Sequence, residues 1–164
     1  MRITARSKKL AASSENNVSF YKKYASVVFN TLREPLFKKY LNWILRKEGI
    51  DEHEVKDVQI RIFPFIKENG NGLAGKCNSK GEIQLYPKKR QFFQERMKEL
   101  GKQNISFFIR SRARAALIHE LLHLKYLSNE KKVRELAEKY FKIFTKHQHR
   151  QNSDIRNISK MIFT

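Results

Sequence analysis

The stretch AALIHELLHL, residues 115–124, decides the fold of this chain. It contains the pattern His-Glu-x-x-His, with His119 and His123 four positions apart and Glu120 beside the first histidine. Residues four apart lie on the same face of an α-helix, so both imidazoles can bind one metal ion. The apolar residues around the motif, with no Gly or Pro among them, predict a continuous and buried helix.

The residue types in this motif are typical of zinc metallopeptidases. Two histidines supply ligand nitrogens for Zn²⁺, and Glu120 can reach a water molecule on the ion without being a ligand itself. We predict that Glu120 is the general base, which takes a proton from that water and later passes it to the leaving amine. The competing interpretation is a buried helix that carries two histidines and no metal.

A catalytic zinc needs a third protein ligand and an open position for water. A second amphipathic helix is predicted over residues 130–146, and its acidic candidates are Glu130, Glu135 and Glu138. If Val133 marks the centre of the apolar face, Glu130 lies roughly 60° away, Glu138 about 140° and Glu135 about 200°. We therefore predict Glu130 as the ligand, with the other two as alternatives. For each of them, the competing interpretation is an exposed acid on a Glu/Lys-rich helix.

Upstream of the motif, three short stretches have the character of strands, residues 58–62, 73–77 and 82–86, and turn signals separate them. Before these, apolar residues recur at helical spacing over residues 18–47, and Pro35 should kink or split that helix. The predicted fold class is α+β. It combines a backing helix or helix pair, a small three-stranded sheet, an active-site helix and a glutamate helix.

The motif and the helix after it carry a resemblance to a known family. His119, His123 and the segment EKKVRELA, residues 130–137, together resemble gluzincin metallopeptidases. In gluzincins whose second helix reads Glu-x-x-Ala and then Asp or Asn, such as the ImmA/IrrE-like group, the first Glu is the zinc ligand. Glu130 matches that Glu and Val133 takes the place of the small apolar residue, while Arg134 departs from the expected Asp or Asn.

The segments AGKC, residues 74–77, and EIQLYP, residues 82–87, look like the hairpin that precedes the active helix in SprT-like proteases. Those proteases use a third histidine, and Asn129 occupies the nearby position here. Over residues 55–145, the order of elements is most similar to that of minigluzincins, which are small archaeal gluzincin domains. The resemblance implies a rim strand that pairs with an extended peptide substrate, a common mode of peptide recognition. We predict that this strand consists of Glu82, Ile83, Gln84, Leu85 and Tyr86.

Three segments are expected along the chain. Residues 1–17 are polar and predict a flexible basic arm, residues 18–147 form the zincin-like catalytic domain, and residues 148–164 form a C-terminal segment. Minigluzincins are similar in having terminal segments that shield their sites, so the last segment is expected to cover the cleft. The alternative is a final helix packed on the backing helix. Either arrangement would bury its apolar side chains, which are Ile155, Ile158, Ile162 and Phe163.

The net charge of +19 is extreme and unevenly distributed. Residues 1–50 carry eleven basic and three acidic side chains, and residues 88–114 carry nine basic and two acidic ones. Such charge favours polyanions, so an alternative function is a basic nucleic-acid-associated protein with structural or vestigial zinc, or a DNA-associated protease. Solubility or heat adaptation explains the charge equally well. The residues predicted to contact nucleic acid are Lys88, Lys89, Arg90 and Lys98.

Composition also bears on the compartment. The single cysteine, Cys77, excludes a disulfide framework within the chain and fits a reducing environment. The sequence has no apolar run of membrane-spanning length and no apolar core of a secretory signal. We therefore expect a cytoplasmic protein that acts on a peptide or protein substrate and not at a membrane.

Overall fold

The structure is a computed structural model, and it describes residues 1–6, 15–148 and 154–163. Within these ranges the chain forms helices and short strands, and no helix is long and apolar enough to cross a membrane. In chain order the elements are β1 Arg2–Arg6, α1 Glu15–Leu32, α2 Pro35–Glu48, β2 Asp57–Arg61, β3 Phe65–Ile66, β4 Gly72–Leu73, β5 Gly75–Cys77, β6 Glu82–Leu85, α3 Arg90–Leu100, α4 Lys102–Tyr126, α5 Glu130–Gln148 and α6 Asp154–Phe163.

The main sheet has four strands in the order β1-β2-β6-β5. The strands β1, β2 and β6 are parallel, and β5 runs antiparallel to β6 at one edge. The strands β3 and β4 form a separate hairpin. The predicted α+β class is confirmed, and the sheet has one strand more than the three that were predicted.

The additional strand comes from the start of the chain, where a flexible arm was predicted. Arg2–Arg6 pair with Asp57–Arg61 in register, and the side chain of Asp57 lies 3.6 Å from Arg2 and 3.4 Å from Thr4. The prediction of a flexible arm is wrong for these residues because a distant segment, β2, satisfies their main-chain groups. Residues 7–14, which belong to the same predicted arm, lie outside the described residues.

The helix pair α1 and α2 is arranged as predicted. Pro35 opens α2, where its missing N–H costs no hydrogen bond, so the long apolar run divides into two helices. Gly49 ends α2 with a φ of 67°, a left-handed conformation that glycine adopts without strain. α1 packs against α4 and the sheet and thereby backs the motif helix.

The motif helix α4 is the centre of the hydrophobic core. It packs against α1, α3, α5 and the strands β5 and β6. Its residues Leu117, Ile118, Leu121 and Leu122 are fully buried, and each such side chain contributes about 1.5–3 kcal/mol of hydrophobic stabilisation. Because the motif lies on this buried helix, the fold holds its backbone rigidly in place.

The C-terminal helix α6 packs mainly on α4 and α5, whereas the alternative named above placed it on the backing helix. Ile158 is buried, and the ring of Phe163 lies 5.6 Å from that of Phe141. Phe141 is eleven residues beyond Glu130, which is about 16 Å along α5. The expected cover over the cleft is therefore wrong for residues 154–163. Residues 149–153 and 164 of the same segment lie outside the described residues.

Candidate metal centre

Three predicted ligands meet where the end of α4 approaches the start of α5. Nε2 of His119 lies 3.1 Å from Nε2 of His123 and 3.1 Å from Oε1 of Glu130. Nε2 of His123 lies 3.3 Å from Oε2 of Glu130. One nitrogen or oxygen from each residue lies within 4.8 Å of the others, so the group can hold a metal ion.

The two alternative acids lie elsewhere on α5. The carboxylate of Glu138 pairs with the ammonium of Lys142 at 2.5 Å, and Glu135 is exposed. Only Glu130 among the three belongs to the metal-binding group. The angular positions of the three acids on the predicted helix therefore favoured Glu130, which is the one that the structure brings to the two histidines.

The turn between the two helices positions both kinds of ligand. α4 ends at Tyr126, and Leu127 has a φ of 50°, which is uncommon for a residue with a branched side chain. Nδ1 of His123 donates a hydrogen bond to the carbonyl of Leu127 over 2.5 Å. Because a carbonyl only accepts, Nδ1 of His123 carries a proton, and Nε2 is the ring nitrogen that faces His119 and Glu130. Asn129 then caps α5 by accepting the N–H of Lys132 at 3.2 Å.

The electrostatic surroundings favour the neutral form of His119. Burial lowers the pKa of His119 and the charge of Glu130 opposes this, while His123 and Arg134 lower it further. The net effect is a pKa below the usual value, so the imidazole keeps a free lone pair at neutral pH. Arg134, the residue that departs from the gluzincin pattern, thus acts on a predicted ligand through its charge.

Glu120 lies beside the metal-binding group but is not part of it. Glu120 is only 6 % exposed. Burial raises the pKa of its carboxyl group to about 7, and the negative charge of Glu130 is a second cause of this shift. A carboxylate with a pKa near 7 is well matched to proton transfer at neutral pH. The side chain rests directly on Gly75 of β5, where an added Cβ would lie 2.6 Å from Cγ of Glu120.

An open cleft of about 950 Å³ lies over this centre. One wall is the end of α4 with the following turn, and the opposite wall is β5 with the turn from Asn78 to Gly81. Cys77 lies on this second wall, and burial together with the charge of Glu120 raises the pKa of its thiol to about 11. The thiol therefore stays protonated at neutral pH.

The predicted substrate-binding strand is not at the rim. Glu82, Ile83, Gln84 and Leu85 form β6, which lies between β2 and β5, and Tyr86 follows it. Both edges of β6 are already paired, so the prediction that these residues pair with a substrate is wrong. The edge strands of the sheet are β1 and β5, and all three residues of β5 line the cleft.

Two of the four predicted nucleic-acid residues have contacts within the chain, and the other two are exposed. The ammonium of Lys88 lies 3.4 Å from the carbonyl of Gly72 and 5.6 Å from the ring centre of Phe92. Arg90 contacts Asn17 at 3.4 Å. Lys89 and Lys98 are exposed.

Two contributors to the centre were not identified from the sequence. Gly75 permits the close approach of Glu120, and a glycine within a strand is a recognised signal for such an approach. The carbonyl of Leu127 orients His123, and no feature of the side-chain sequence indicates a main-chain contact of this kind.

Comparison with protein-family profiles gives no match, and comparisons with curated proteins and with solved structures give none either. The resemblance to gluzincins therefore stays a prediction that rests on the motif and on Glu130.

Proposed function

We propose that this protein is a zinc-dependent metalloendopeptidase. The observation that carries the proposal is the juxtaposition of His119, His123 and Glu130 with the buried carboxylate of Glu120 in one open cleft.

The donor set fits zinc in type and in spacing. Zinc in catalytic sites is commonly held by two imidazoles and one carboxylate, with a fourth position left open. Tetrahedral bonds of about 2.0–2.1 Å place neighbouring donor atoms about 3.3–3.4 Å apart. The two imidazole nitrogens lie 3.1 Å apart, which is within a few tenths of an ångström of that spacing. His119 and His123 lie 3.1 and 3.3 Å from different oxygens of Glu130, so this carboxylate faces both imidazoles.

The residues of the chain then have distinct roles. A bound zinc ion supplies Lewis acidity, which acidifies water and polarises a peptide carbonyl. Glu120 accepts the proton from the attacking water and delivers it to the amine of the leaving fragment. Leu127 holds the ring of His123 through its carbonyl, and Gly75 leaves room for the carboxylate of Glu120.

The edge strand β5 supplies main-chain partners for an extended peptide. Ala74 accepts a hydrogen bond from the N–H of Tyr86, and Asn78 donates one to the carbonyl of Glu82. Alternate residues of an antiparallel strand face its partner, so the main-chain groups of Gly75 and Cys77 point away from β6 and toward the cleft. A substrate that adds to this edge lies beside Glu120 and does not require a free chain end, which favours an endopeptidase.

The test is digestion of a peptide library by the wild type and by Glu120→Gln, with zinc content measured in both. The amide cannot accept a proton from water, so we expect equal zinc content and loss of cleavage in the variant. Equal turnover by the two proteins would contradict the proposed role of Glu120.

A second candidate function is association with nucleic acid, with or without peptidase activity. The net charge of +19 favours it, since unspecific binding to nucleic acid is driven by charge.

A further inference from the structure

The walls of the cleft carry an excess of positive charge outside the metal centre. Four lysines line it, and each of them is exposed. Within the described residues, none of the four ammonium groups forms a salt bridge with a carboxylate. Apart from Glu120 and Glu130, the lining contains one acid, Glu54. The four lysines are Lys56, Lys67, Lys76 and Lys80.

The carboxylate of Glu54 already has a role in the local structure. It belongs to a capping box at the short 3-10 helix Glu52–Glu54, where it accepts the N–H of Asp51 at 3.4 Å. Asp51 in turn accepts the N–H of His53 at 2.9 Å. Glu54 is thus directed toward the start of its own helical turn, and the lysines are left to set the charge of the cleft.

The main chains of Lys56 and Lys80 are held close to each other at the C-terminal end of β5. The N–H of Lys56 donates to the carbonyl of Gly81 at 3.0 Å, which joins the segment before β2 to the turn that carries Lys80. Gly81 has a φ of 77°, and a Cβ there would lie 1.7 Å from the carbonyl oxygen of Glu54, so only glycine fits this contact. The close approach therefore fixes the main chain of Lys56 beside that of Lys80.

The turn itself is fixed by Asn78. Its Oδ1 accepts the N–H groups of Lys80 and Glu82, both at 3.0 Å, and its Nδ2 donates to the carboxylate of Glu82 at 2.6 Å. The one acid next to this turn is thereby engaged with Asn78. The end of the cleft beyond Cys77 consequently presents two ammonium groups on a rigid support.

Strand direction relates this charge to the substrate. A peptide that pairs antiparallel with β5 has its N-terminal part beside the C-terminal end of that strand. The residues that precede the scissile bond then lie beside Lys56 and Lys80. Lys67 lies on the connection between β3 and β4 and also lines the cleft.

We infer that the preferred substrates are peptides with Asp or Glu on the N-terminal side of the scissile bond, recognised by Lys56 and Lys80. This inference rests on the proposed peptidase function. The two lysines determine specificity and are separate from the metal ligands and the base.

The experiment compares two fluorogenic peptides that differ only in Glu or Lys at the two positions before the scissile bond. They are given to the zinc-loaded wild type, to the double variant K56E/K80E and to the control K22E/K23E. The control makes the same change of net charge at exposed lysines of α1, outside the cleft. We expect kcat/KM of the wild type and the control to be about tenfold higher for the Glu peptide, and the preference to vanish or invert in K56E/K80E.

Binding separates this inference from the peptidase proposal. Fluorescence anisotropy of the same two peptides is measured on the Glu120→Gln background of all three proteins. If no peptide is cut by the wild type, the peptidase proposal is wrong, and selective loss of Glu-peptide binding in K56E/K80E would still support recognition by the two lysines. If the wild type cuts both peptides equally, or if K56E/K80E behaves as the control does, the inference is overturned while the peptidase stands.

Discussion

Nδ1 of His123 donates a hydrogen bond to the main-chain carbonyl of Leu127, and this contact directs Nε2 of the same ring toward His119 and Glu130. The contact depends on the left-handed backbone of Leu127, whose side chain is 72 % exposed. The turn that begins at Leu127 also leads directly to Glu130, the first residue of α5. One strained residue thus contributes to the placement of two of the three predicted ligands.

Two substitutions at Leu127 distinguish the contribution of its backbone conformation to metal binding from that of its side chain. Leu127→Gly keeps the carbonyl and suits a positive φ, so we expect unchanged metal affinity. Leu127→Pro fixes φ at about −65° and removes the N–H that donates to the carbonyl of His123. The carbonyl of residue 127 then moves away from Nδ1 of His123, and the hydrogen bond between these two groups is lost. We expect metal affinity to fall by about 10–100-fold, as measured by chelator competition. Wild-type affinity in the proline variant would show that this contact does not support the ligand.

The second prediction concerns the room that Gly75 leaves for the base. In Gly75→Ala the new Cβ would lie 2.6 Å from Cγ and 2.7 Å from Oε1 of Glu120, so the carboxylate must move. A displacement of about 1 Å at a catalytic group can lower turnover about 100-fold, and we expect a loss of that order in kcat with zinc content retained.

The matched control is Gly72→Ala in the neighbouring strand β4. There the nearest atom to a new Cβ is Cδ of Lys88 at 3.4 Å, on a flexible side chain, so turnover should stay at the wild-type level. Full activity in Gly75→Ala would mean that the position of Glu120 on β5 is not important for turnover.

A third prediction concerns the pH dependence of stability. Burial raises the pKa of Glu48, but hydrogen bonds from Tyr126, Tyr140 and Lys125 outweigh it and hold the pKa below the usual range. A carboxyl with a depressed folded-state pKa stabilises the fold above its unfolded-state pKa, and this contribution is lost as the pH falls through the folded-state pKa.

Glu48→Gln should therefore lower the free energy of unfolding by about 1–3 kcal/mol near neutral pH, and the difference from wild type should shrink below about pH 4. Urea unfolding at several pH values measures this difference. The exposed Glu68 provides the control, since Glu68→Gln should leave stability nearly unchanged throughout. A difference for Glu48→Gln that does not vary with pH would contradict the hydrogen-bonded carboxylate.

The helices, and the close approach of the three predicted ligands, were predictable because their signals are local. The four-residue spacing of the histidines places them on one helix face, and fully buried Val133 marks the apolar side of α5 from which Glu130 was chosen. Pro35 and Gly49 are likewise local signals, and both act at the helix ends where they were expected to act.

The sheet was only partly predictable because its pairing is not local. Arg2 pairs with Asp57 across more than fifty positions, and the polar composition of the first residues does not indicate a strand. The error at Glu82–Leu85 has a similar origin, since the sequence identifies strands but not their order in the sheet. The order places β5 at the rim, and the proposed substrate contacts move there with it.

The fourth prediction addresses the net charge of +19. If it serves nucleic-acid binding, affinity for a random duplex or single strand should fall steeply as salt is increased. The exposed residues Lys89 and Lys98 are the informative sites, and K89E/K98E should bind more weakly than K22E/K23E, which has the same net charge. Absence of binding at low salt would favour the solubility explanation.

The zinc content of the folded chain is the first property to measure, by native mass spectrometry after exposure to equimolar zinc. We predict one zinc ion per chain in the wild type and in Glu138→Gln, no bound zinc in His119→Ala or His123→Ala, and strongly reduced occupancy in Glu130→Gln. A folded wild-type chain that binds no zinc, or full occupancy in Glu130→Gln, would contradict the metal centre on which the proposed function depends.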